Sequence, residues 1–308
     1  MPQVRGTPFK GIIMIFLSNL INGLSLGSVY AIIALGYTMV YGISKMLNFA
    51  HGDVIMVGAY ISFCATAYLN MPAWVSVILA MIVCTCLGIL IEGLAYRPLR
   101  GTGSLAVLIT AIGVSYFLQN AALIIWGSAP KVFTSVFERF GSSISLFGGE
   151  LTITWEALFT LVAAVLIMIG MTMFTGRTKV GKAMRAVSED NGAAQLMGIN
   201  VNSTISMTFA IGSALAAIAG VLLCSSYPAL MPTTGAMPGI KAFTAAVFGG
   251  IGSIPGAMLG GILIGVIEIF GRAYISSELS DAIVFGVLII VLLVKPSGLL
   301  GKKITEKV

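Results

Sequence analysis

The sequence predicts an all-α, polytopic membrane protein, and three observations support this fold class. Of its 308 residues, 58% are hydrophobic and only 9% are charged, whereas soluble domains carry about 25% charged residues. Apolar runs of roughly 20 residues recur along the chain, which is the length that crosses a bilayer as a helix. No run shows the alternation over about ten residues that is typical of membrane β-barrels. A soluble fold is therefore excluded.

The apolar runs define the predicted helices in chain order. They cover residues 11–43, 54–69, 74–94, 104–126, 155–174, 203–226, 240–250, 255–270 and 282–294. With broken or re-entrant elements included, we expect about 8–10 transmembrane or half-spanning helices. No linker or soluble segment interrupts them, so the pattern predicts a single membrane domain over residues 1–308.

Two of the runs do not fit a simple crossing. The run 11–43 would measure about 50 Å as a helix, which is too long for one upright crossing and too short for two. We expect a broken or re-entrant element there, and the side of the N-terminus stays open. The run 240–250 covers half a span and leads into GGIGSIPGAMLGG. Irregular backbone at this depth must be buried in protein or line a wet cavity.

The net charge of +6 does not indicate nucleic-acid binding. The basic residues lie mainly in loops between the apolar runs, and because such residues concentrate in cytoplasmic loops, they predict the orientation of the chain in the membrane. The segment 127–154, which contains Gly148 and Gly149, is then external. The residues predicted to be cytoplasmic are Arg97, Arg100, the cluster at 177–185, and Lys302, Lys303 and Lys307 near the C-terminus.

The chain offers little for catalysis or metal binding. Its four cysteines, Cys64, Cys84, Cys86 and Cys224, lie in apolar segments without the spacing of a metal site. One histidine and no nucleophile–base set predict a protein that is not an enzyme. We expect no catalytic residue, no metal site and no cofactor held by this chain.

The loop 177–202 is the one long charged interruption. It reads RTKVGKAMRAVSEDNGAAQLMGINVN, and so charged a segment in an apolar chain predicts contact with a soluble partner. Gly176, Gly181 and Lys182 match a phosphate-binding loop, but Ala183 replaces the required Ser or Thr and no strand precedes the motif. ATP binding by this loop is not expected.

The second half of this loop predicts a short capped helix over 188–198. Ser188 is suited to the N-cap, with Glu189 and Asp190 in the positive first turn. Gly198 is suited to the left-handed position after the last turn. Ala193, Leu196 and Met197 form a small apolar face at helical spacing. Such a helix is marginal alone, so it packs on its own protein, at the lipid interface, or in a groove of a cytoplasmic partner.

Polar residues within the apolar runs are candidates for a solute path. The segment NFAHGD places Asn48, His51 and Asp53 between two runs, and Asp53 precedes Val54 as a helix N-cap would. A His51–Asp53 proton relay is the alternative. The other candidates either hydrogen-bond between helices or line a path: they are Asn22, Gln119, Asn120 and Glu268.

Five segments carry a resemblance to a known family. They are LNFAHGDVIMVGAY (47–60), AYRPLR (95–100), LITAIGVSYFLQN (108–120), GINVNSTISMTFAIGSALAAIAGVL (198–222) and KAFTAAVFGGIGSIPGAMLGGILIG (241–265). Together they resemble the LivH-type permeases of bacterial branched-chain amino acid ABC importers. The likeness extends from about residue 15 to PSGLLG at 296–301.

The resemblance implies import of leucine, isoleucine and valine across the bacterial inner membrane. It implies a second related permease, two cytoplasmic ATPases that hold ATP and magnesium, and a periplasmic amino-acid binding protein as partners. The ABC coupling motif E-A-A-x-x-x-G is matched at Ala193, Ala194 and Gly198, with Gly192 in place of Glu. The predicted coupling residues are Arg185, Ser188, Glu189, Asp190, Ala193, Ala194, Leu196, Met197 and Gly198.

The expected mechanism is alternating access, with the broken elements at 34–53 and 239–256 as gates or path lining. Two alternatives stay open. A permease of the same class for urea, amides or another amino acid would share these motifs. A proton-coupled secondary transporter would use His51, Asp53 or Glu268 instead of ATP.

Overall fold

The computed structural model describes residues 8–138, 141, 143–146 and 151–301. The basic residues Lys302, Lys303 and Lys307 and the pair Gly148 and Gly149, to which sides were assigned above, lie outside the described residues. The all-α polytopic class is confirmed, since the described chain is dominated by helices with only short strands.

Eleven α-helices make up the described part of the chain. They are α1 (Pro8–Ser44), α2 (His51–Ala67), α3 (Ala73–Ile91), α4 (Ser104–Trp126), α5 (Trp155–Arg177), α6 (Lys179–Glu189), α7 (Asn191–Leu196), α8 (Val201–Ser226), α9 (Ala236–Gly249), α10 (Ile254–Tyr274) and α11 (Ser280–Val294). A π-helical turn (Glu92–Tyr96) and a 3₁₀ turn (Arg97–Leu99) extend α3. Six helices are long and apolar enough to cross a membrane, and α2, α9 and α11 are shorter. These nine agree with the predicted eight to ten.

Four short strands join the loops at one end of the bundle. Strand β1 (Lys131–Val132) pairs antiparallel with β4 (Ala229–Leu230), so the loops after α4 and α8 meet. Strands β2 (Ser143–Leu146) and β3 (Leu151–Thr154) form a second antiparallel pair. We call this the hairpin end. It coincides with the segment predicted to be external.

Helices α6 and α7 lie at the opposite end, which we call the loop end. Residues 41–47 at the end of α1 face residues 191–205 there, and Gly252 lies against Gly42. The tail after α11 returns to the same place, because the Leu299 amide donates to the Phe248 carbonyl at 2.9 Å. The predicted alternation of loops between two sides therefore holds, and α1 begins at the hairpin end.

The predicted break within 11–43 is wrong, because α1 is one continuous helix of 37 residues. At 1.5 Å per residue it is about 55 Å long, so it exceeds the hydrocarbon thickness and must tilt or project. The glycines in this run are used for close packing instead of for a break. The chain leaves the helix only at Lys45, whose φ is 57°.

The predicted half-span at 240–250 is confirmed by α9, which has 14 residues and a length of about 21 Å. Its first residues meet the start of α2, where a Cβ on Gly235 would lie 1.8 Å from the Gly52 carbonyl oxygen. Buried helix surfaces surround α9, which contacts α1, α2, α10 and α11. The irregular turn after Gly249 is covered by the chain tail, where Leu300 donates to the Gly249 carbonyl at 2.9 Å.

Helices α1 and α10 pack closely against each other through glycines. A Cβ on Gly265 would lie 2.2 Å from Gly27 Cα, and one on Gly261 would lie 2.4 Å from Ala31 Cα. Association of membrane helices relies on van der Waals packing and backbone approach, which small residues permit. Gly261 and Gly265, four residues apart on α10, thus serve helix packing.

We expect Gly265→Ala to lower the stability of the purified protein by about 1–3 kcal/mol, because the added methyl group forces α1 and α10 apart. The unfolding temperature in detergent measures this change. Gly113→Ala is the matched control, since a Cβ on Gly113 would meet nothing within 4 Å. Equal unfolding temperatures for the two variants would contradict the proposed role of the contact.

Candidate functional site

Helix α6 presents a charged face at the loop end. It begins directly after α5, where Thr178 Oγ1 accepts from the Gly181 amide at 2.9 Å. A Cβ on Gly181 would lie 2.3 Å from the Phe174 carbonyl oxygen, so the glycine permits this tight turn. The tight turn between α5 and α6 therefore explains Gly181, one of the glycines in the phosphate-loop-like pattern. Met184 and Val187 are buried, whereas Lys179 and Lys182 are exposed.

The predicted single helix over 188–198 is wrong, because two helices meet at Asp190. Ser188 is not an N-cap; it lies inside α6, where its Oγ donates to the Arg185 carbonyl at 2.7 Å. Glu189 is the last residue of α6. Asp190 caps α7, with Oδ1 accepting from the Gly192 amide at 2.7 Å and the Ala193 amide at 3.0 Å. Asp serves as an N-cap as well as Ser does.

The end of α7 agrees with the prediction. Met197 is its C-cap and Gly198 follows with φ of 80°, the left-handed conformation that glycine adopts without strain. Leu196 and Met197 are 91% and 82% exposed, and Ala193 is also exposed, whereas Ala194 is buried. The predicted apolar face is therefore not packed on its own chain.

Behind α7 lies a cavity of about 850 Å³. Its walls are the end of α1 (41–47), the turn between α3 and α4 (99–107) and the α7–α8 connection (191–205). Arg100 connects two of these walls, since it forms an ion pair with Glu92 and donates to Asn202 Oδ1. Glu92 also accepts from Ser206 on α8. Two walls of the cavity are thus joined through Arg100, and one of them continues into the exposed α7.

The NFAHGD segment forms a buried polar junction at the start of α2. Asn48 Oδ1 accepts from the Tyr96 hydroxyl at 2.9 Å, and Asp53 Oδ1 accepts from Gln119 Nε2 at 2.9 Å. The His51 ring packs edge-on against Tyr37, with centroids 4.5 Å apart. These contacts connect α2 to α1, to the extension of α3 and to α4.

Two predictions about this segment are not met. Asp53 is not the N-cap of α2, because the helix begins at His51 and Ala50 occupies the cap position without a side-chain bond. The Asp53 side chain instead accepts a hydrogen bond from Gln119 and so connects α2 to α4. Among the described residues, His51 Nε2 has no hydrogen-bond partner and the Asp53 carboxylate is bonded to Gln119 and not to His51, so the alternative of a His51–Asp53 relay gains no support.

The remaining path candidates do not converge on this junction. Asn22 is exposed on α1, and Asn120 is exposed on α4 with its Nδ2 donating to the Tyr116 carbonyl at 2.7 Å. Glu268 lies elsewhere, on α10. Asn22, Asn120 and Glu268 therefore occupy separate places, whereas Asn48, His51, Asp53 and Gln119 belong to the junction at the start of α2.

Glu268 is the centre of a buried ionic network that sequence reasoning missed. Its Oε1 is 2.7 Å from Lys241 Nζ and also pairs with Arg272, while its Oε2 accepts from the Tyr30 hydroxyl at 2.8 Å. Lys241 Nζ is also 2.6 Å from Asp281 Oδ1. Two cations face two carboxylates, so the network is neutral. The signal available in the sequence was Lys241, an isolated cation at the start of a short apolar run.

Tyr227 lies beside this network, just beyond the end of α8. Burial raises the pKa of its phenol, the positive charge of Arg272 lowers it, and Glu268 raises it. The net direction is upward, so the phenol is neutral at physiological pH and extends the polar environment of the network toward the hairpin end. Among the described residues, no group of three or more His, Cys, Asp and Glu side chains is placed to hold a metal ion.

A family model described as the branched-chain amino acid transport system / permease component matches residues 19–292. The chain belongs to this family. It is 48% identical to the high-affinity branched-chain amino acid transport system permease protein BraD of Pseudomonas aeruginosa, over 95% of this chain and 98% of that protein. The LivH permease proteins of the same system are 47% identical in Salmonella typhimurium and 45% identical in Escherichia coli, with the same coverage.

The fold also has a counterpart among solved structures. PsaBC from Streptococcus pneumoniae in complex with Fab aligns over 94% of this chain and 96% of that chain, with a TM-score of 0.50 and 14% identity. At this identity the likeness concerns the fold alone. The resemblance stated from the motifs is confirmed, and the chain is a multi-pass membrane protein of the permease family.

The Glu268 network is expected to be structural, so breaking it destabilises the protein. Glu268→Gln leaves excess positive charge near α10 and should cost about 3–5 kcal/mol, as should Lys241→Met. In the double variant both charges are gone, and we expect much less than the sum of the single losses. Unfolding temperatures in detergent give the cycle. Additive losses, or a stable Glu268→Gln variant that is inactive in uptake, would contradict the structural role.

Proposed function

We propose that this chain is the membrane permease subunit of an ABC importer that carries branched-chain amino acids. The observation that carries the proposal is the 45–48% identity over 95% of the chain to permease proteins of the high-affinity branched-chain amino acid transport system. Alignments of this extent span the loop end, the NFAHGD segment and the α9–α10 region together. The substrates are leucine, isoleucine and valine, and the location is the bacterial inner membrane.

The proposed assembly contains a second related permease, two ABC ATPases and a soluble binding protein. ATP and magnesium belong to the ATPases, and this chain holds no cofactor. The loop end faces the cytoplasm and the ATPases, while the hairpin end faces the periplasm and the binding protein. The basic residues Arg97, Arg100, Lys179 and Lys182 all lie at the loop end, which favours this orientation by the positive-inside rule.

Helix α7 is the proposed contact with an ATPase. Its exposed Leu196 and Met197 are suited to an apolar groove on a soluble partner. The helix is short and has defined ends, because Asp190 caps its start and Gly198 ends it. It leads after four residues into α8, most of whose residues are buried in the bundle. A push on α7 is thereby delivered to the centre of the bundle.

Alternating access then requires helices that move without opening backbone to lipid. The starts of α2 and α9 are suited to this, because both lie inside the protein and meet through Gly52, Gly235 and Gly239. Discontinuous helices at the centre of a transporter commonly border the substrate site. A proton-coupled mechanism is less well supported, since Glu268 is paired with two cations and Asp53 is hydrogen-bonded.

Uptake by the reconstituted system tests the function. Proteoliposomes with this chain, its partner permease and both ATPases should accumulate radiolabelled leucine when ATP is inside and loaded binding protein is outside. Accumulation should persist when a protonophore collapses the proton gradient. Uptake that stops with the protonophore points to the secondary transporter, and transport of urea or amides in preference to leucine points to the related permease class.

Leu196→Asp tests the role of α7 separately. Because the side chain is almost fully exposed, we expect unchanged folding but at least a tenfold loss of ATPase co-purification and uptake, as is typical of a charge placed in an apolar contact. Val132→Asp in β1 is the matched control: Val132 is 77% exposed and lies at the hairpin end. Normal ATPase association by the Leu196→Asp variant would disprove the coupling assignment.

A further inference from the structure

The lining of the cavity behind α7 contains basic side chains and no acidic ones. Its lining includes two cations, Lys45 and Arg100, and no aspartate or glutamate. Arg100 is neutralised by the buried Glu92 behind the wall, whereas Lys45 has no carboxylate within ion-pair distance in the described part of the chain. The cavity therefore carries one uncompensated positive charge.

Lys45 is held in a conformation that non-glycine residues seldom adopt. Its φ is 57°, just after α1 ends, and the Lys45 amide still donates to the Tyr41 carbonyl at 2.9 Å. A lysine in the left-handed region costs of order 1 kcal/mol or more, and such residues cluster at functional sites. This backbone conformation places the exposed Lys45 at the rim of the cavity.

Arg100 supplies a second donor with a fixed direction. Its two terminal nitrogens bind Glu92 and Asn202, while its Nε is buried with no hydrogen-bond partner among the described residues. Each terminal nitrogen carries a second N–H, so a guanidinium held by Glu92 and Asn202 can still donate toward the cavity that Arg100 lines.

The rest of the lining matches an amphipathic zwitterion. Asn191 and Gln195 are exposed on α7 and offer amide oxygens that can accept from an ammonium group. Met46, Val107 and Ile205 provide apolar walls. An inorganic anion would leave these amides and apolar walls without a role.

We infer that this cavity binds a free branched-chain amino acid from the loop side and that its occupancy slows the transport cycle. The carboxylate lies near Lys45 and Arg100, the ammonium near Asn191 and Gln195, and the aliphatic chain against the apolar wall. The inference rests on the proposed function for the substrate and the cytoplasmic orientation. It adds a regulatory site for the accumulated product, separate from the path by which substrate crosses.

The position of the cavity explains how occupancy acts on transport. One wall belongs to the α7–α8 connection, and the others belong to α1 and the α3–α4 turn. A ligand that contacts all three stabilises the arrangement that it fits, by its difference in affinity between the two conformations. Movement of α7 away from the α1 wall would break those contacts, so the bound amino acid opposes it.

The test uses the full transporter in nanodiscs without the binding protein, and L-leucine as the probe. We expect saturable binding of radiolabelled L-leucine to the complex. In proteoliposomes that contain ATP, preloading with L-leucine should lower the initial uptake rate at least twofold. Lys45→Gln should raise the leucine concentration needed for both effects about tenfold or more, as is typical when a hydrogen bond to a charged group is lost.

Two further variants keep the test specific. Lys182→Gln removes a lysine at the same end but outside the cavity, and it should leave leucine binding unchanged. Ser104→Phe fills the cavity from the first turn of α4 and should abolish both effects without removing a charge.

Leucine uptake with no leucine binding, or binding unaffected by Lys45→Gln and Ser104→Phe, overturns the inference and leaves the proposed function intact. Competition by acetate or phosphate as strong as by L-isoleucine would assign the site to anions in general. Absence of leucine uptake altogether would refute the proposed function itself.

Discussion

The neutral network around Glu268 is the interaction on which the arrangement of the short helices depends. Charges inside a membrane bundle are tolerated only when they are paired or reach water. Lys241 lies on α9, which at about 21 Å cannot reach both faces of a bilayer. Its depth is therefore not set by the bilayer boundaries. The depth of α9 is set by the ion pairs of Lys241 with Glu268 on α10 and Asp281 on α11. The Tyr30 hydroxyl on α1 also donates a hydrogen bond to Glu268.

Once α9 is placed, the start of α2 follows. Gly235 and Gly239 touch Gly52 so closely that neither side tolerates a larger residue. From this meeting point α2 runs toward the hairpin end, where Tyr60 stacks on Trp126, and α9 runs toward the loop end, where the chain tail covers Gly249. Two helix starts of opposite direction thus meet inside the protein, where their backbone is enclosed by protein and not by lipid.

The membrane helices and the end of α7 could be read from the sequence because each depends on a local pattern. Apolar length predicted the spans, and Gly198 predicted the end of the helix. The division at Asp190 was missed because Ser188 and Asp190 are both good caps, and the choice depends on the buried face of α6 at Met184 and Val187. The continuity of α1 was missed because glycines in a membrane helix serve close packing with α10 as well as they serve breaks. The Lys241–Glu268 pair was missed because its partners come together only in the tertiary structure.

Helix α7 has one side exposed and the other side on the cavity. Its outer side, at Leu196 and Met197, is exposed, while its inner side, at Asn191 and Gln195, borders the cavity. Any molecule that binds one side in only one conformation of α7 changes the population of that conformation. By thermodynamic linkage, the affinity on the other side must change by the same factor. The coupling passes through the displacement of α7. A cavity ligand and an outer partner that prefer different positions of α7 therefore weaken each other's binding, even though they never touch.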